Sequence, residues 1–380
     1  MMKKTVILTI GLIMLIGASS ELLAQPGSKD IIYAGTNSAR DGKGIYVLEF
    51  DRQQGKLREI QTLTEGTGPG FLALSPNRDF LYSIYSKGTI DDGNGAVMSF
   101  KLDPFSGHLK KLNEQSIGAK GAAHISIDPK GRYAYTANYG DGSITVFPIN
   151  SDGSLAKPTD YIKHAGSSID PKRQTRPYPH SSIPSADGKF LYVSDLGSDR
   201  IVIYEVLGGG KLKPAAVPFI QLVAGSGPRH FKIHPNGNFA YSVDELSNTI
   251  VGFKVNKKTG ELTILERLSM LPEGFKEVSY ASDVHFSPDG KFIYASNRGH
   301  ESLVIYQVNA KNGKLSLVGH EPTGGKHPRN FMIDKAGEYV LVGNMNTDNV
   351  VIFNRDSKTG KLKPNGSEYT IPGVTCLIEL

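Results

Sequence analysis

Three kinds of reactive side chain recur in this sequence. Arginines stand at Arg229, Arg298 and Arg329, histidines at His124, His180 and His230, and carboxylates at Asp195, Asp244, Glu245 and Asp283. A guanidinium is a planar fork of donors that suits a carboxylate, a phosphate or an oxyanion developing in a reaction. An imidazole can take a proton near neutral pH and return it. A carboxylate can orient either group or act as a base itself. With Asn138 and Asn330 these residues make a candidate site for a small anionic or oxygen-rich ligand. No close-spaced metal-ligand motif accompanies them, and three arginines in one place oppose a cation, so neither metal nor cofactor is expected.

These residues lie far apart in the chain, so a repeating fold must gather them. A short apolar run, an Asp-Gly-Lys type of turn and an alternating strand with a central Tyr recur along the sequence. The marker position is Tyr33, Tyr82, Tyr135, Tyr192, Tyr241, Tyr294 and then Leu341, at intervals of 47 to 57 residues. Each marker strand is followed by a Gly-x-Leu hairpin, at Gly55, Gly107, Gly153, Gly210, Gly260, Gly313 and Gly360. Glycine supplies the positive φ that such a turn requires. Two independent markers, each present seven times, predict an all-β seven-bladed β-propeller with four strands per blade. The first unit lacks its leading strand, and the C-terminus carries a surplus one, Val374–Leu380. Ring closure accounts for both, with the last strand completing the first blade and removing the open edges.

Aligning the units places Phe71, His124, Ser181, His230, Asp283 and Asn330 at one height of the innermost strands. Gly70, Ala123, His180, Arg229, Ser282 and Arg329 fall one position earlier. Hairpin arithmetic sets residue 230 opposite residue 243, within one or two residues. The residues ending the marker strands, among them Asn138, Asp195, Asp244, Asn297 and Asn344, should then meet the first set at one rim. Each of them also fits a plain turn, because Asn and Asp side chains bond to nearby backbone. The charged departures gather in units five to seven, on one side of the channel.

Composition narrows the classes. The chain has 43 Gly and 21 Pro in 380 residues and no Trp, which favours turns and excludes Trp-Asp repeats. Its net charge of +6 comes largely from lysines scattered through turns, which does not make a nucleic-acid face. The lone Cys376 permits no intrachain disulfide and is read as core packing. Residues 1–24 read as a secretory signal peptide: Lys3 and Lys4, an apolar run from Val6 to Ile16, and a cut after Ala24. Residues 25–380 would then be one periplasmic or secreted propeller domain, with no stable membrane insertion after cleavage.

Several motifs together resemble a known family. Gly227-Pro228-Arg229-His230-Phe231, Asp244-Glu245-Leu246-Ser247-Asn248-Thr249, Ser296-Asn297-Arg298-Gly299 and Pro328-Arg329-Asn330-Phe331 are similar to the lactonase family of seven-bladed propellers. Asn138-Tyr139-Gly140, Pro179-His180-Ser181 and Asp195-Leu196-Gly197-Ser198-Asp199 fit the same pattern, and the resemblance spans about Ile31 to Leu380. It implies a 6-phosphogluconolactonase-like hydrolase acting on a small anionic or polyhydroxylated lactone. On that reading His230, Glu245 and His180 are the catalytic candidates. Arg229, Arg298, Arg329, Asn330, Asp283, His124, Asn138 and Asp195 would hold substrate. A fungal relative cyclises a carboxymuconate, so a cycloisomerase acting on a muconate-type diacid is a second reading. A propeller that only binds a glycan, cell-wall fragment or protein is the third.

Overall fold

The computed structural model describes residues 30–380, so the expected signal peptide and its cleavage point lie outside the described residues. Seven antiparallel sheets of four strands each make seven blades, and among the described residues the only helical turns are Ser38–Arg40 and Gly208–Gly210. No helix among them is long and apolar enough to cross a membrane. Val374–Glu379 pairs with Asp30–Thr36 as the innermost strand of the first blade, with Cys376 opposite Gly35. The surplus strand therefore closes the ring as expected. Cys376 is buried, and burial pushes its thiol up to about 12, so it is a packing group.

The two sequence markers meet in space, and their meeting couples neighbouring blades. The Tyr33 hydroxyl donates to the Gly107 carbonyl at 2.9 Å, and Tyr82 to Gly153 at 3.0 Å. Tyr241 and Tyr294 likewise reach Gly313 and Gly360 at 2.6 and 2.7 Å. Four of the central Tyr residues thus bond to the hairpin glycine of the next blade, a contact worth about 1 kcal/mol net, whereas the Tyr135 and Tyr192 hydroxyls have no partner. Gly153 shows why glycine is needed there: its φ is 84°, and an added Cβ would lie 2.2 Å from the Phe80 ring. Seven apolar clusters complete the coupling, each shared by two adjacent blades. One joins Tyr33 and Val47 to Leu72, Leu81 and Phe100, and another joins Ile32 and Leu48 to Leu341, Ile352 and Val374 across the closure. Burying a side chain of the Leu81 kind contributes about 2 kcal/mol, so the ring interfaces are the main store of stability.

One backbone irregularity recurs on the innermost strands. The ladder with the second strand slips between Pro69 and Phe71, Ala122 and His124, Pro179 and Ser181, Pro228 and His230, and Pro328 and Asn330. In the sixth blade it slips between Ala281 and Val284. A β-bulge leaves the extra residue out of the ladder and re-aims its side chain. The extra residues are Gly70, Ala123, His180, Arg229 and Arg329, with Ser282 and Asp283 in the sixth blade. Without the bulge, Arg229 and His230 would face opposite sides of the sheet. Beyond it the register is as expected, with His230 opposite Val243.

Candidate active site

The fifth-blade strand Phe239–Asp244 ends on two consecutive carboxylates with opposite surroundings. Asp244 turns into its own blade, where the Ser242 and Thr249 hydroxyls donate to it at 2.9 and 3.2 Å. Burial pushes its carboxyl up to about 7. Glu245 turns the other way and is the hub of an arginine cluster. Its Oε1 accepts from Arg173 Nη2 at 2.5 Å, while Arg229 Nε and Arg298 Nη2 stand 3.0 and 2.9 Å from Oε2. Burial would raise this carboxyl as well, but the charges of Arg298, Arg229 and Arg173 outweigh it and hold Glu245 at about 2. The Arg229 side chain is 2% exposed and also donates to the Ser282 carbonyl at 2.6 Å. Arg298 is anchored by the Ala281 carbonyl at 2.9 Å.

Three imidazoles lie beside this cluster. The His230 ring is 5.3 Å from His180 and 5.7 Å from His124, and Phe71 caps His124 at 4.4 Å. His230 Nδ1 is 2.6 Å from Asp283 Oδ1, so with Asp283 ionised the hydrogen sits on Nδ1, and Nε2 keeps its lone pair toward Arg229 Nη1 at 3.3 Å. Burial and Arg229 lower His230 to about 4 despite the Asp283 carboxylate, and burial and Arg229 lower His180 well below the usual imidazole range. Both rings are neutral at pH 7. Asp283 is held low, because His285 and His230 outweigh its burial, and Asn330 Nδ2 donates to its Oδ2 at 2.5 Å.

Arg329 is the exception in the cluster. It is half-buried and makes no side-chain hydrogen bond or ion pair among the described residues. Burial and the nearby Arg298 charge push it down to about 10. Four guanidiniums therefore crowd one hub carboxylate, and one of them has no partner. Groups of this kind are stabilised by an arriving anion.

The structure does not bring two of the expected residues to this cluster. Asn138 Nδ2 donates to the Ser143 and Thr145 hydroxyls within its own blade. Asp195 accepts from the backbone of Tyr178 and Gly197 and lies 3.0 Å from His164 Nδ1. Both bond across the turn that follows them, whereas Asn297 and Asn344 donate to the Met270 and Thr323 carbonyls on the connection leading into their blade. The physical reason is strand alternation: the residue three past each marker Tyr bonds within the blade, and the one after it, as at Glu245 and Arg298, turns to the opposite side, toward the cluster. His124, His180, Arg229, His230, Asp283, Arg298, Arg329 and Asn330 do come together with Glu245.

The sequence model of the family described as Lactonase, 7-bladed beta-propeller matches residues 31–379. The chain belongs to this family. A 6-phosphogluconolactonase of Formosa agariphila is 37% identical over 304 residues, covering 79% of this chain and 84% of the relative. A 6-phosphogluconolactonase of Bacillus subtilis is 33% identical over 307 residues, covering 81% and 86%. Among solved structures, the periplasmic gluconolactonase of Pseudomonas aeruginosa superposes with a TM-score of 0.87 at 30% identity, covering 93% of this chain and 99% of that one.

Within this lactonase-family propeller, sequence reasoning missed Arg173 altogether. It sits on the strandless connection between Asp160–Lys163 and Pro179–Pro184, so no blade pattern marks it. The signal that points to it is length: the interval from Tyr135 to Tyr192 is the longest between markers. Asp199 ties that connection to the arginine turn. Its buried carboxylate accepts from Ser168 and Gln174 on one side and from the amides of Gly225 and Gly227 on the other, all within 2.7 Å. His327 was also passed over. It holds a φ of 63°, unusual for a side chain of its size, and burial with the Arg298 and Arg329 charges lowers it to about 3. Among the described residues no group of three or more His, Cys, Asp or Glu is arranged to hold a metal ion.

Proposed function

We propose that this chain hydrolyses a sugar-type lactone bearing a negative charge, without a metal ion, at the arginine-histidine cluster. The observation that carries the reading is Arg329: an unpaired guanidinium beside Arg298, in a cluster whose positive charge exceeds its carboxylates. Such a site repels a cation and suits an anionic substrate. The relatives named 6-phosphogluconolactonase and gluconolactonase supply the reaction class.

In this mechanism Arg329 and Arg298 hold the lactone and stabilise the oxyanion that forms at its carbonyl. His230 takes the proton of the attacking water at Nε2, while Asp283 keeps Nδ1 protonated and the ring oriented. The proton then passes to the ring oxygen as the C–O bond breaks. An imidazole near 4 is a weak base, but a bound anion offsets the Arg229 charge that depresses it and so raises it toward its working range. Glu245, locked as a carboxylate by three arginines, fits the role of holding them better than that of a base. His180, with Nδ1 unpartnered, forms the wall beside His230, and His124 supports that ring from the other side. We also infer that the mature chain works outside the cytoplasm. The leader-like residues 1–24 and the periplasmic relative from Pseudomonas aeruginosa support this.

The test is acid release from glucono-δ-lactone and its 6-phosphate by the wild type and by His230→Gln. The reading expects faster turnover of the anionic lactone and a loss of about 100-fold or more in His230→Gln. Wild-type turnover at the uncatalysed rate, or an unimpaired His230→Gln, would contradict it. The arginine excess also fits paired carboxylates. Turnover of a muconate-type diacid, followed by its ultraviolet absorbance and with lactones untouched, would replace hydrolysis by cycloisomerisation.

A further inference from the structure

The channel has a second mouth, and it reaches the catalytic histidine through one carboxylate. Asp283 uses both oxygens: Oδ1 is 2.6 Å from His230 Nδ1, and Oδ2 is 2.8 Å from His285 Nε2. His230 approaches from the arginine side. His285 lies two residues farther along the innermost strand Tyr280–Phe286 and borders a cavity of about 420 Å³. That cavity is lined by Phe71, His124, Ser126, Lys232, Asn330 and Glu379, and contains none of the clustered arginines. The His285 ring packs edge-on against Phe331 at 4.9 Å, and its side chain is 26% exposed, against 5% for His230.

We propose that His285 is a positioning residue for the reaction, setting the strength with which Asp283 holds His230 and doing so from the opposite mouth of the channel. The proposal rests on His230 being the base, as argued above. A donor on Oδ2 draws negative charge away from Oδ1, so it tempers how strongly Asp283 stabilises a protonated His230. Asp283 stays in place without His285, because Asn330 Nδ2 also donates to Oδ2 and the Val284 amide donates to Oδ1 at 2.9 Å. Loss of His285 should therefore alter the base without dismantling the site. The other groups facing the pair are His124, His180, Arg229, Lys232, Arg329 and Cys376, each on the innermost strand of another blade. None of these touches Oδ2 of Asp283.

The experiment compares wild type, His285→Leu and His285→Gln in the full chain by two readouts. One is kcat and KM for the anionic lactone. The other is the imidazole titration of His230 by nitrogen NMR, its signal assigned by its absence in His230→Gln. His285→Leu should raise kcat about twofold to threefold with KM nearly unchanged, because a stronger base takes the proton of the attacking water faster. It should also move the His230 titration up by about half a unit to one unit. His285→Gln, whose amide can donate to Oδ2, should reverse most of both changes at an unchanged melting temperature. Wild-type kcat and His230 titration in His285→Leu would overturn the proposal. So would a fall in kcat, or a change that glutamine does not reverse, since either marks a merely structural role. If the wild type hydrolyses no lactone yet the titration shifts and is rescued, the coupling stands and the lactonase reading alone falls.

Discussion

Blades two and three meet the channel with Gly70, Phe71, Ala123 and His124, whereas blades four to seven meet it with His180, Arg229, His230, Asp283, Arg329 and Asn330. The backbone under both arcs is the same, down to the bulge on the innermost strand. The difference shows a division of labour. Tyr-to-glycine bonds and the clusters between blades hold the ring, and the bulge re-aims one side chain in most of these blades and two, Ser282 and Asp283, in the sixth. Whether that position carries glycine or arginine matters little to the fold and decides the chemistry. The plain arc supplies an apolar wall, with Phe71 against His124 and His230. The charged arc buries ions at a cost to stability that Glu245 and Asp283 offset within the cluster, leaving Arg329 for a ligand.

Glu245→Gln breaks this contrast most severely. It leaves Arg173, Arg229 and Arg298 crowded around a neutral group, and breaking such a buried network costs about 3–5 kcal/mol. Denaturant unfolding should show that loss, and added phosphate or gluconate should recover part of it.

Arg329→Ala has the opposite signature. It removes a partnerless cation, so the folded state should hold or gain stability in the same unfolding assay. Its kcat/KM for the anionic lactone should fall by about 100- to 1000-fold. Stability gained where activity is lost would mark the charged arc as a functional expense of the fold.

The neighbouring carboxylates sharpen the contrast on a finer scale. Asp244 is raised to about 7, so its ionised form opposes folding. Its contribution is present below the usual Asp range and is lost as pH rises toward 7. Asp244→Asn should therefore melt close to wild type near pH 4, and higher than wild type at pH 8 by an amount worth about 2–4 kcal/mol.

The smallest effect concerns the ring. Tyr241→Phe loses the bond to Gly313 and should cost about 1 kcal/mol. Tyr192→Phe should cost nothing, because the Tyr192 hydroxyl has no partner. Equal costs in chemical unfolding would show that the hydroxyl bonds do not couple the blades.

The fold was legible because a propeller repeats its reasons. Each marker strand and each Gly-x-Leu turn recurs at the same place in a unit, so seven copies report one architecture and the surplus Val374–Leu380 reports its closure. The site was legible only where it departs from the repeat on a strand, as at Arg229, His230, Glu245, Arg298 and Arg329. Arg173 escaped because a loop has no period against which a departure shows. Asn138 and Asp195 were misplaced because period-two alternation at a strand end depends on the register of one residue. His285 escaped for a different reason: its contribution lies in what it does to Asp283, which only the 2.8 Å contact reveals.

The central claim is that the charged arc receives an anionic lactone and releases its acid. A crystal structure with gluconate or its 6-phosphate bound tests it most directly. The account predicts an acid group of the ligand within about 3 Å of both Arg329 and Arg298, with a ligand oxygen beside His230 Nε2. Gluconate seated only in the cavity around Lys232 and His285, with Arg329 still unpaired, would contradict it.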